Sequence, residues 1–454
     1  MVRRVCLIGA GPSGMAALVA FNRLKERGEE CEVTCFEKQE QPGGLWNLTW
    51  RTGTDEFGEP VHCSQYRDLF SNGPKECLEF PDYTFEDHFG KNIPACPPRE
   101  VLLDYLQGYW KLHGVKNEDI HTRHVVRNVS FDEATQIFTV KVTNLLEKID
   151  LEQQFDYVIV ASGHFSVPHI PHFDGIEKFE GRAMHAHDFK NAREFTGKKI
   201  LLVGSSYSAE DIALQLYKFG AERVTISYRT NKMDFKWPDK IHEVPLLTKI
   251  EGRTCHFKDG TSAEYDAIIL CTGYQHHFPF MPSELTLPNG NIYNLPNLYR
   301  SLQWYGVTEG KKDAAGKLFY VGMQDQFYTF TMFLMQGLWV ANVIKDIIQT
   351  PGREECVQDI EKMFASNADL SDYHKEIDAQ TAYVLQLAAE IGYNERLDVS
   401  KIFYKWEDDK AENILTYRDQ TYTSNFTGKE SAVFPIPWLK CFDDSLSGYL
   451  KNCV

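Results

Sequence analysis

Short apolar runs that end in glycine recur along the chain, at 5–9, 157–163, 200–204 and 267–273. Continuous apolar runs of this length are typical of strands in a parallel sheet, because helices cover both faces of such a sheet. The runs at 5–9 and 200–204 lead directly into helix-forming residues and then into another short strand. The pattern predicts an α/β fold with two dinucleotide-binding, Rossmann-like domains.

The first of these units carries a complete dinucleotide fingerprint. Gly9, Gly11 and Gly14 stand at the spacing Gly-x-Gly-x-x-Gly, and Glu37 ends the second strand. The glycines permit a tight turn and let a pyrophosphate approach the helix N-terminus, while the acid accepts hydrogen bonds from the adenosine ribose. The unit therefore predicts a site for FAD or NAD rather than for a nucleotide with a 2′-phosphate.

The second unit is a degenerate form of the same fingerprint. Gly204 is followed by Ser206 and Ala209, small residues in the places of the second and third glycines. The next strand ends on Arg229 and Thr230, where an NAD site would carry an acid. A guanidinium fork suits a 2′-phosphate, so this site is interpreted as an NADPH site, with an ordinary surface arginine as the alternative.

The order of the strands predicts how the domains are arranged. The runs at 157–163 and 267–273 both leave a strand through glycine and bracket the second unit. We therefore expect a smaller NADPH-binding domain, residues 168–279, inserted into a discontinuous FAD-binding domain made of residues 1–167 and 280–454. The prolines within 168–171 mark the predicted linker. Residues 125–143 alternate like a hairpin or meander, and the part after about 350 is expected to be mostly helical.

One uncharged stretch raises the question of a membrane span. Residues 327–344 contain no charged side chain, and their length is at the lower limit for crossing a bilayer. Because polar residues such as Gln336 and Asn342 interrupt it, a buried helix is favoured over a membrane span.

The composition limits which cellular compartments and which classes of partner fit this chain. The chain of 454 residues has a formal net charge of −16, which argues against nucleic acid or an anionic membrane as a partner. Its eleven cysteines show no framework spacing and no metal pattern, so reduced intracellular thiols are expected. The chain enters its first strand without room for a secretion signal. We expect a cytoplasmic homodimer that uses no metal.

Two loops outside the fingerprints contain candidate functional residues. Gly43 and Gly44 break regular structure close to the first unit, and Trp46 adds a large planar surface. This favours a loop over the flavin, with a turn and a core tryptophan as the alternative. Asn72 stands in a Ser-Asn-Gly-Pro turn, and on chemistry alone it is a turn former.

The segment between the two fingerprints adds a resemblance. Phe179, Gly181, His185 and Phe189 stand at the spacing F-x-G-x-x-x-H-x-x-x-F, which resembles the identifier of flavin-containing monooxygenases. Together with the glycine turns and the Asn72 motif, the match covers nearly the whole chain. The sequence of these motifs, including Met-Gln-Asp-Gln at 323–326, is most similar to the soluble branch of the family that acts on trimethylamine. Phe189 departs from the Tyr of many members, which leaves the substrate open.

The resemblance implies an activity and its cofactors. NADPH would reduce FAD, O₂ would add to give a C4a-hydroperoxyflavin, and a soft nucleophile would take the distal oxygen. The implied substrates are sulfides and small tertiary amines, such as trimethylamine, which would become its N-oxide. The protein would position the cofactor and keep water out.

The resemblance also implies roles for single residues. Asn72 and Tyr207 would be the catalytic residues, the first hydrogen-bonded near the flavin and the second holding NADP⁺ over it, and Trp406 would border the substrate entrance. The implied FAD site comprises Gly9, Gly11, Ser13, Gly14, Glu37, Gly44, Leu45, Trp46, His62, Asn72, Val125 and Gln324. The implied NADPH site comprises Gly204, Ser205, Ser206, Tyr207, Ser208, Arg229, Thr230, Thr272 and Gly273.

Three other functions need weighing. A flavoprotein disulfide reductase also has two dinucleotide folds, but it needs a cysteine pair beside the flavin, and residues 43–50 contain no cysteine. A Baeyer–Villiger oxygenase, which converts a cyclic ketone to a lactone, and a non-catalytic sensor of FAD and NADPH remain as alternatives.

Overall fold

The computed structural model describes residues 2–288, 295–324, 327–366 and 372–453. The strands in these ranges are β1 Arg3–Ile8, β2 Cys31–Phe36, β3 Ile120–His121, β4 His124–Asp132, β5 Ile137–Asn144, β6 Ile149–Phe155, β7 Tyr157–Val160, β8 Arg182–His185, β9 Lys199–Val203, β10 Arg223–Ser227, β11 Ile241–Val244, β12 Leu247–Glu251, β13 Thr254–Phe257, β14 Ser262–Glu264, β15 Ala267–Leu270, β16 Leu298–Tyr299, β17 Gln303–Trp304 and β18 Leu318–Tyr320. The α-helices are α1 Pro12–Glu26, α2 Phe85–Phe89, α3 Arg99–Leu112, α4 Tyr207–Lys218, α5 Thr329–Ile344, α6 Arg353–Ser366, α7 Tyr373–Ile391, α8 Ser400–Glu412 and α9 Leu446–Asn452.

The larger sheet has the first fingerprint at its centre. Its strand order is β16-β17-β18-β7-β1-β2-β3, and β1 pairs in parallel with both β2 and β7. Val5 lies opposite Val33 on one side and Tyr157 on the other. The inner strands are buried on both faces, as their continuous apolar runs predict. Ligands bind beyond the carboxyl ends of such strands, which is where Gly9 and Gly163 lie.

The smaller sheet repeats this plan. All its strands, in the order β11-β10-β9-β15-β8, are parallel, and β9 lies between β10 and β15. Its strands come from residues 182–270, whereas those of the larger sheet come from residues 3–160 and 298–320. The two chain crossings between the sheets run side by side, because Pro168 and Tyr274 form an antiparallel bridge. This arrangement is what an inserted domain requires, and the α/β fold class is confirmed.

Two further predictions concern local structure. Strands β4, β5 and β6 form an antiparallel sheet of three strands, so the alternating stretch at 125–143 is part of a meander. The uncharged stretch is the buried helix α5, which packs on α1: a Cβ on Gly337 would lie 2.8 Å from the carbonyl oxygen of Ala16. Within the described residues no helix is long and apolar enough to cross a membrane.

Candidate functional site

The glycines of the first fingerprint are required by close backbone contacts. A Cβ on Gly14 would lie 2.0 Å from the carbonyl oxygen of Gly9, and one on Gly9 would lie 2.6 Å from that of Ala161. Gly9 also has a φ of +101°, which a residue with a side chain rarely adopts. The turn thus packs α1 tightly on the sheet, with Gly11 as its N-cap and no capping side chain among the described residues. The N–H groups at an uncapped helix N-terminus of this kind suit a pyrophosphate.

Glu37 is held beside this turn by the backbone. It is only 5% exposed, and its two carboxylate oxygens accept hydrogen bonds from the N–H groups of Ala10 and Gln39, each at 2.7 Å. Burial raises the pKa of this carboxyl, while the two N–H donors oppose that shift. Each oxygen retains a lone pair for a ribose hydroxyl, so the position fits an adenosine nucleotide without a 2′-phosphate.

The loop that contains Gly43 and Gly44 crosses the glycine turn. The N–H of Gly43 donates to the carbonyl oxygen of Ala10 at 2.8 Å, and a Cβ on Gly44 would lie 2.9 Å from the Cα of Gly11. This places Leu45 and Trp46, which follow directly, at the wall of a large cleft. The loop therefore lies next to the predicted flavin position.

Gln324 is positioned by Gln336, a residue that the sequence predicted only to lie in a buried helix. The side chain of Gln336 on α5 accepts a hydrogen bond from the N–H of Gly322 at 2.9 Å and donates one to the Oε1 of Gln324 at 2.5 Å. It also donates to the hydroxyl of Tyr383 at 3.1 Å. This network orients Gln324, while Asp325 and Gln326, which follow it in the Met-Gln-Asp-Gln segment, lie outside the described residues.

The second glycine turn has the same geometry as the first. Gly204 has a φ of +122°, and a Cβ there would lie 2.1 Å from the carbonyl oxygen of Cys271. Ser206 is the N-cap of α4, and the hydroxyl of Ser205 donates to the carbonyl oxygen of Asn231 at 3.1 Å. The small side chains after Gly204 thus leave the first turn of α4 accessible to a pyrophosphate.

Arg229 lies just beyond the carboxyl end of β10, which is the place of the acid in an NAD site. Its side chain is exposed, lines the large cleft and makes no ion pair with any residue that the structure describes. Thr230 is also exposed. An accessible guanidinium at this position fits a nucleotide 2′-phosphate.

A cleft of about 950 Å³ joins the two nucleotide units. Arg229 lines one part of it, and Trp46 and Asn72 line another. Of the residues predicted from the sequence, the cleft wall includes Leu45, Trp46, Asn72, Ser206, Tyr207, Ser208, Arg229, Thr272 and Gly273. The predicted residues that are not part of this wall are Gly9, Gly11, Ser13, Gly14, Glu37, Gly44, His62, Val125, Gly204, Ser205, Thr230 and Gln324. The cofactor roles of the residues inside and outside the wall stay predictions. Ser13 is buried beside the first turn, with its hydroxyl 3.5 Å from the carbonyl oxygen of Ala161.

A smaller cavity of about 160 Å³ adjoins the cleft. The two spaces share Trp46, Ser71, Asn72 and Tyr207 in their walls. The rings that line the small cavity are those of Trp46, Tyr207, Phe327, Phe330, Phe403 and Trp406. Tyr207 and Trp406 are nearly parallel, with ring centroids 6.2 Å apart. An aromatic cavity of this kind suits a small apolar molecule or a small organic cation.

Behind Tyr207 lies a group of buried charges that the sequence analysis missed. The hydroxyl of Tyr207 donates to the carboxylate of Glu407 at 3.2 Å, and Lys410 pairs with Glu407 at 3.4 Å and with Glu210 at 3.0 Å. Lys410 is only 1% exposed in its side chain. The spacing of Glu407 and Lys410 on one helix was the available signal, but nothing in it indicated a partner on α4.

Several histidines around the cleft are held neutral. Burial lowers the pKa of His164 to about 3, with His276 adding to the effect, and burial lowers the pKa of His185 to about 4. The pKa of His62 is lowered to about 3 by loss of hydration and by the nearby Lys38. These rings can therefore act as neutral hydrogen-bonding groups but carry no charge near pH 7.

Comparison with known proteins shows extensive similarity. The family of flavin-binding monooxygenase-like proteins matches residues 2–235 and 240–405. A trimethylamine monooxygenase of Methylocella silvestris is 48% identical over 450 residues, which are 98% of this chain and 98% of that protein. The similarity thus includes both glycine turns.

Solved structures agree with this result. The crystal structure of Tmm from Pelagibacter sp. strain HTCC7211 superposes with a TM-score of 0.92 at 44% identity, covering 98% of this chain and 100% of that one. The S-allyl-L-cysteine S-oxygenase of Allium sativum gives a TM-score of 0.77 at 27% identity, covering 92% of this chain and 95% of that one.

Proposed function

The chain belongs to the flavin-binding monooxygenase-like family, and from this premise we propose that it uses NADPH and O₂ to oxygenate the nitrogen of small tertiary amines, with trimethylamine giving its N-oxide. The observation that carries the proposal is the position of Asn72, where the large cleft and the small aromatic cavity share a wall. A substrate in the cavity and a dinucleotide in the cleft would meet at this point.

The two nucleotide units divide the cofactors between them. The first glycine turn and Glu37 would hold FAD, and the second glycine turn with Arg229 would hold NADPH. When bound, the flavin supplies the redox chemistry that activates O₂. The chain's own contribution is to hold the two dinucleotides in one cleft and to exclude water from the cavity beside it.

The small cavity selects the substrate by size and by its aromatic wall. A cavity of about 150 Å³ in another protein is large enough for benzene, so the 160 Å³ found here leaves room for a molecule of the size of trimethylamine. The face of Trp46 would attract the cationic form of an amine before it loses its proton. Trp406 already has the ammonium group of Lys410 at 4.5 Å from its ring centroid. Bulky amines would not fit without movement of the aromatic side chains.

Asn72 would act as a hydrogen-bonding group at the junction of cleft and cavity. Its neighbour Ser71 is held by a hydrogen bond from its hydroxyl to the carbonyl oxygen of Gly73 at 2.6 Å, so the turn is well ordered by its own contacts. Arg418 donates to the carbonyl oxygen of Ser71 at 3.2 Å and ties the turn to the C-terminal part of the chain. An amide held in this way can orient a cofactor or substrate group without changing charge.

The compartment and assembly are part of the same proposal. All eleven cysteines are free thiols, ten of them buried, which supports a reducing compartment such as the cytoplasm. We further propose a homodimer, which sedimentation equilibrium of the purified protein would test directly: a mass of 52.2 kDa would contradict it.

The test of the function is product formation per NADPH consumed. Purified holoenzyme in air-saturated buffer receives NADPH with trimethylamine, a small sulfide or a cyclic ketone, and N-oxide, sulfoxide, lactone and hydrogen peroxide are quantified. We expect N-oxide close to the amount of NADPH oxidised. Lactone from the ketone without N-oxide would instead indicate a Baeyer–Villiger oxygenase, and NADPH oxidation without any oxygenated product would contradict the proposal.

A further inference from the structure

A tertiary amine must lose a proton before it can react, and the part of the cavity wall that the structure describes offers no base. Alkylammonium groups, like the Lys side chain, titrate near pH 10, so at pH 7 only about one molecule in a thousand is free amine. The described residues that line the small cavity include no carboxylate, imidazole or amine. A polar group of the wall would therefore have to carry the proton away from a bound ammonium ion. This inference rests on the amine oxygenation proposed above.

Tyr207 connects the cavity wall with a carboxylate. It lines both the cavity and the cleft, and its hydroxyl donates a hydrogen bond of 3.2 Å to the Oε1 of Glu407 on α8. Glu407 is largely buried, with 10% of its side chain exposed. A single hydrogen bond thus connects the Tyr207 hydroxyl, on a residue of the cavity wall, with the carboxylate of Glu407.

The charges around Glu407 leave it with an excess of negative charge. From its own helix Lys410 faces it at 3.4 Å, and from α4 Glu210 shares the same ammonium group at 3.0 Å. Tyr373 on α7 lies within electrostatic range. Two carboxylates therefore face a single ammonium group. Burial raises the pKa of Glu407, with Lys410 opposing that shift, which makes the carboxylate a better proton acceptor than one in water.

We propose that Glu407 accepts the proton of the bound ammonium ion through the hydroxyl of Tyr207. The N–H bond breaks and its electron pair stays on nitrogen as the lone pair needed for reaction. The proton adds to the Tyr207 oxygen while the hydroxyl's own proton passes to the Oε1 of Glu407, which becomes a neutral acid and then releases the proton to solvent. Tyr207 ends the step unchanged.

The step agrees with the balance of the whole reaction. Oxygenation of a neutral amine by NADPH and O₂ consumes one proton to form water, and the ammonium form brings that proton with it. Ammonium, NADPH and O₂ thus give N-oxide, NADP⁺ and water with no net proton uptake. A sulfide has no proton to lose, so its oxygenation does not need Glu407.

This difference defines the experiment. Wild type and Glu407→Gln, which keeps a hydrogen-bond acceptor but cannot accept a proton, are compared by kcat/KM for trimethylamine and for dimethyl sulfide. The matched control is Asp408→Asn, which removes one negative charge from an exposed position on the same helix. We expect the amine-to-sulfide ratio at pH 7 to fall at least tenfold in Glu407→Gln and to stay within twofold in the control. FAD content and the Kd for NADP⁺ are measured in parallel.

The pH profile provides a second readout that packing alone would not change. In Glu407→Gln, kcat/KM for trimethylamine should rise about tenfold per pH unit between pH 6 and 9, because only free amine would react. In wild type the rise should be much shallower. Tyr207→Phe, which keeps the ring and removes the hydroxyl, should shift the ratio in the same direction, and Glu407→Asp should partly restore it.

The outcomes separate the inference from the function on which it rests. Equal losses with amine and sulfide, or a wild-type pH profile in Glu407→Gln, would show that Glu407 only holds Tyr207 in position. If Glu407→Gln does not fold, Tyr207→Phe decides the question by the same ratio. A wild-type enzyme that oxygenates neither substrate would instead remove the proposed function.

Discussion

Arg418 forms a buried ion pair with Asp211 and thereby joins the C-terminal part of the chain to helix α4 of the inserted unit. The guanidinium also donates to the carbonyl oxygen of Ser71 at 3.2 Å and lies 4.5 Å from the ring centroid of Trp438. One side chain thus contacts the turn of Asn72 and the helix that begins with Tyr207. It thereby links the two positions that are predicted to be catalytic.

Replacing Arg418 by Met should destabilise the protein strongly. Loss of one partner leaves the other charge of a buried pair unsatisfied, which costs roughly 3–5 kcal/mol. We expect a clear fall in the guanidinium chloride midpoint followed by circular dichroism. Arg182→Met breaks the exposed pair with Glu194 and should change the free energy of unfolding by less than about 1 kcal/mol. The double variant Asp211→Leu/Arg418→Met should recover most of the stability, and a double variant as weak as the single one would contradict this account.

Gly14→Ala should abolish flavin binding. Its Cβ would lie 2.0 Å from the carbonyl oxygen of Gly9, so α1 must move away from the strand and lose its contact with the pyrophosphate. We expect the ratio of flavin to protein absorbance to fall at least fivefold. Gly352→Ala is the control, because a Cβ there meets no described atom within 4 Å. A yellow Gly14→Ala protein with the wild-type ratio would show that the first turn is not the FAD site.

Arg229→Ala should remove the preference for NADPH over NADH. Hydrogen bonds to charged groups contribute about 1.5–3 kcal/mol, which corresponds to an increase of about tenfold to a hundredfold in the Kd for NADPH, with little change for NADH. Binding is measured by titration of the oxidised enzyme with NADP⁺ and NAD⁺. Lys240→Ala removes an exposed cation of the same unit outside the cleft wall and should leave both affinities intact. An unchanged nucleotide preference in Arg229→Ala would place the phosphate contact elsewhere.

Stability should fall on acidification because of neutral buried histidines. His164 is 5% exposed, shares a hydrogen bond of 3.1 Å with the carbonyl oxygen of Gly322, and has its pKa lowered to about 3 by burial. The unfolded chain binds this proton near pH 6.5, so the contribution is present above pH 6.5 and is lost as the pH falls from 6.5 towards 3.

The expected loss is up to about 1.4 kcal/mol per pH unit for each such group. His164→Asn keeps a donor for Gly322 but does not titrate, so the free energy of unfolding should depend less steeply on pH below 6.5. Urea denaturation at pH 4.5 to 7.5 measures the slope, with His172→Asn, at an exposed position, as control. A slope that is the same in His164→Asn and in wild type would contradict the assignment.

The residues that the sequence could identify are those whose role is local. Gly9, Gly14 and Gly204 stand where a strand turns into a helix. The spacing of small residues at such a turn is enough to identify a nucleotide-binding motif. Glu37 and Arg229 end the next strand in each unit, so their position relative to the turn follows from the βαβ connection. The fold class and both cofactors could be predicted for this reason.

The residues that the sequence could not identify act across long separations. Glu407 lies 200 positions from Tyr207, and Arg418 lies 207 positions from Asp211. Gln336 appeared in the sequence only as a polar interruption of an apolar helix, yet it orients Gln324. Local patterns contain no information on which surface polar group a buried charge will meet, because that pairing depends on how the units pack.

By itself, then, the order of residues determined the α/β fold with two glycine turns and a buried helix, and it predicted which turn accepts a 2′-phosphate. Each follows from the conformation of a few neighbouring residues. Only the tertiary structure decided that the cleft and the small aromatic cavity share a wall. It also decided that the carboxylate of Glu407 lies behind Tyr207. These depend on bringing the C-terminal helices against the inserted unit, and the free energy of that packing comes from burial distributed over the whole chain.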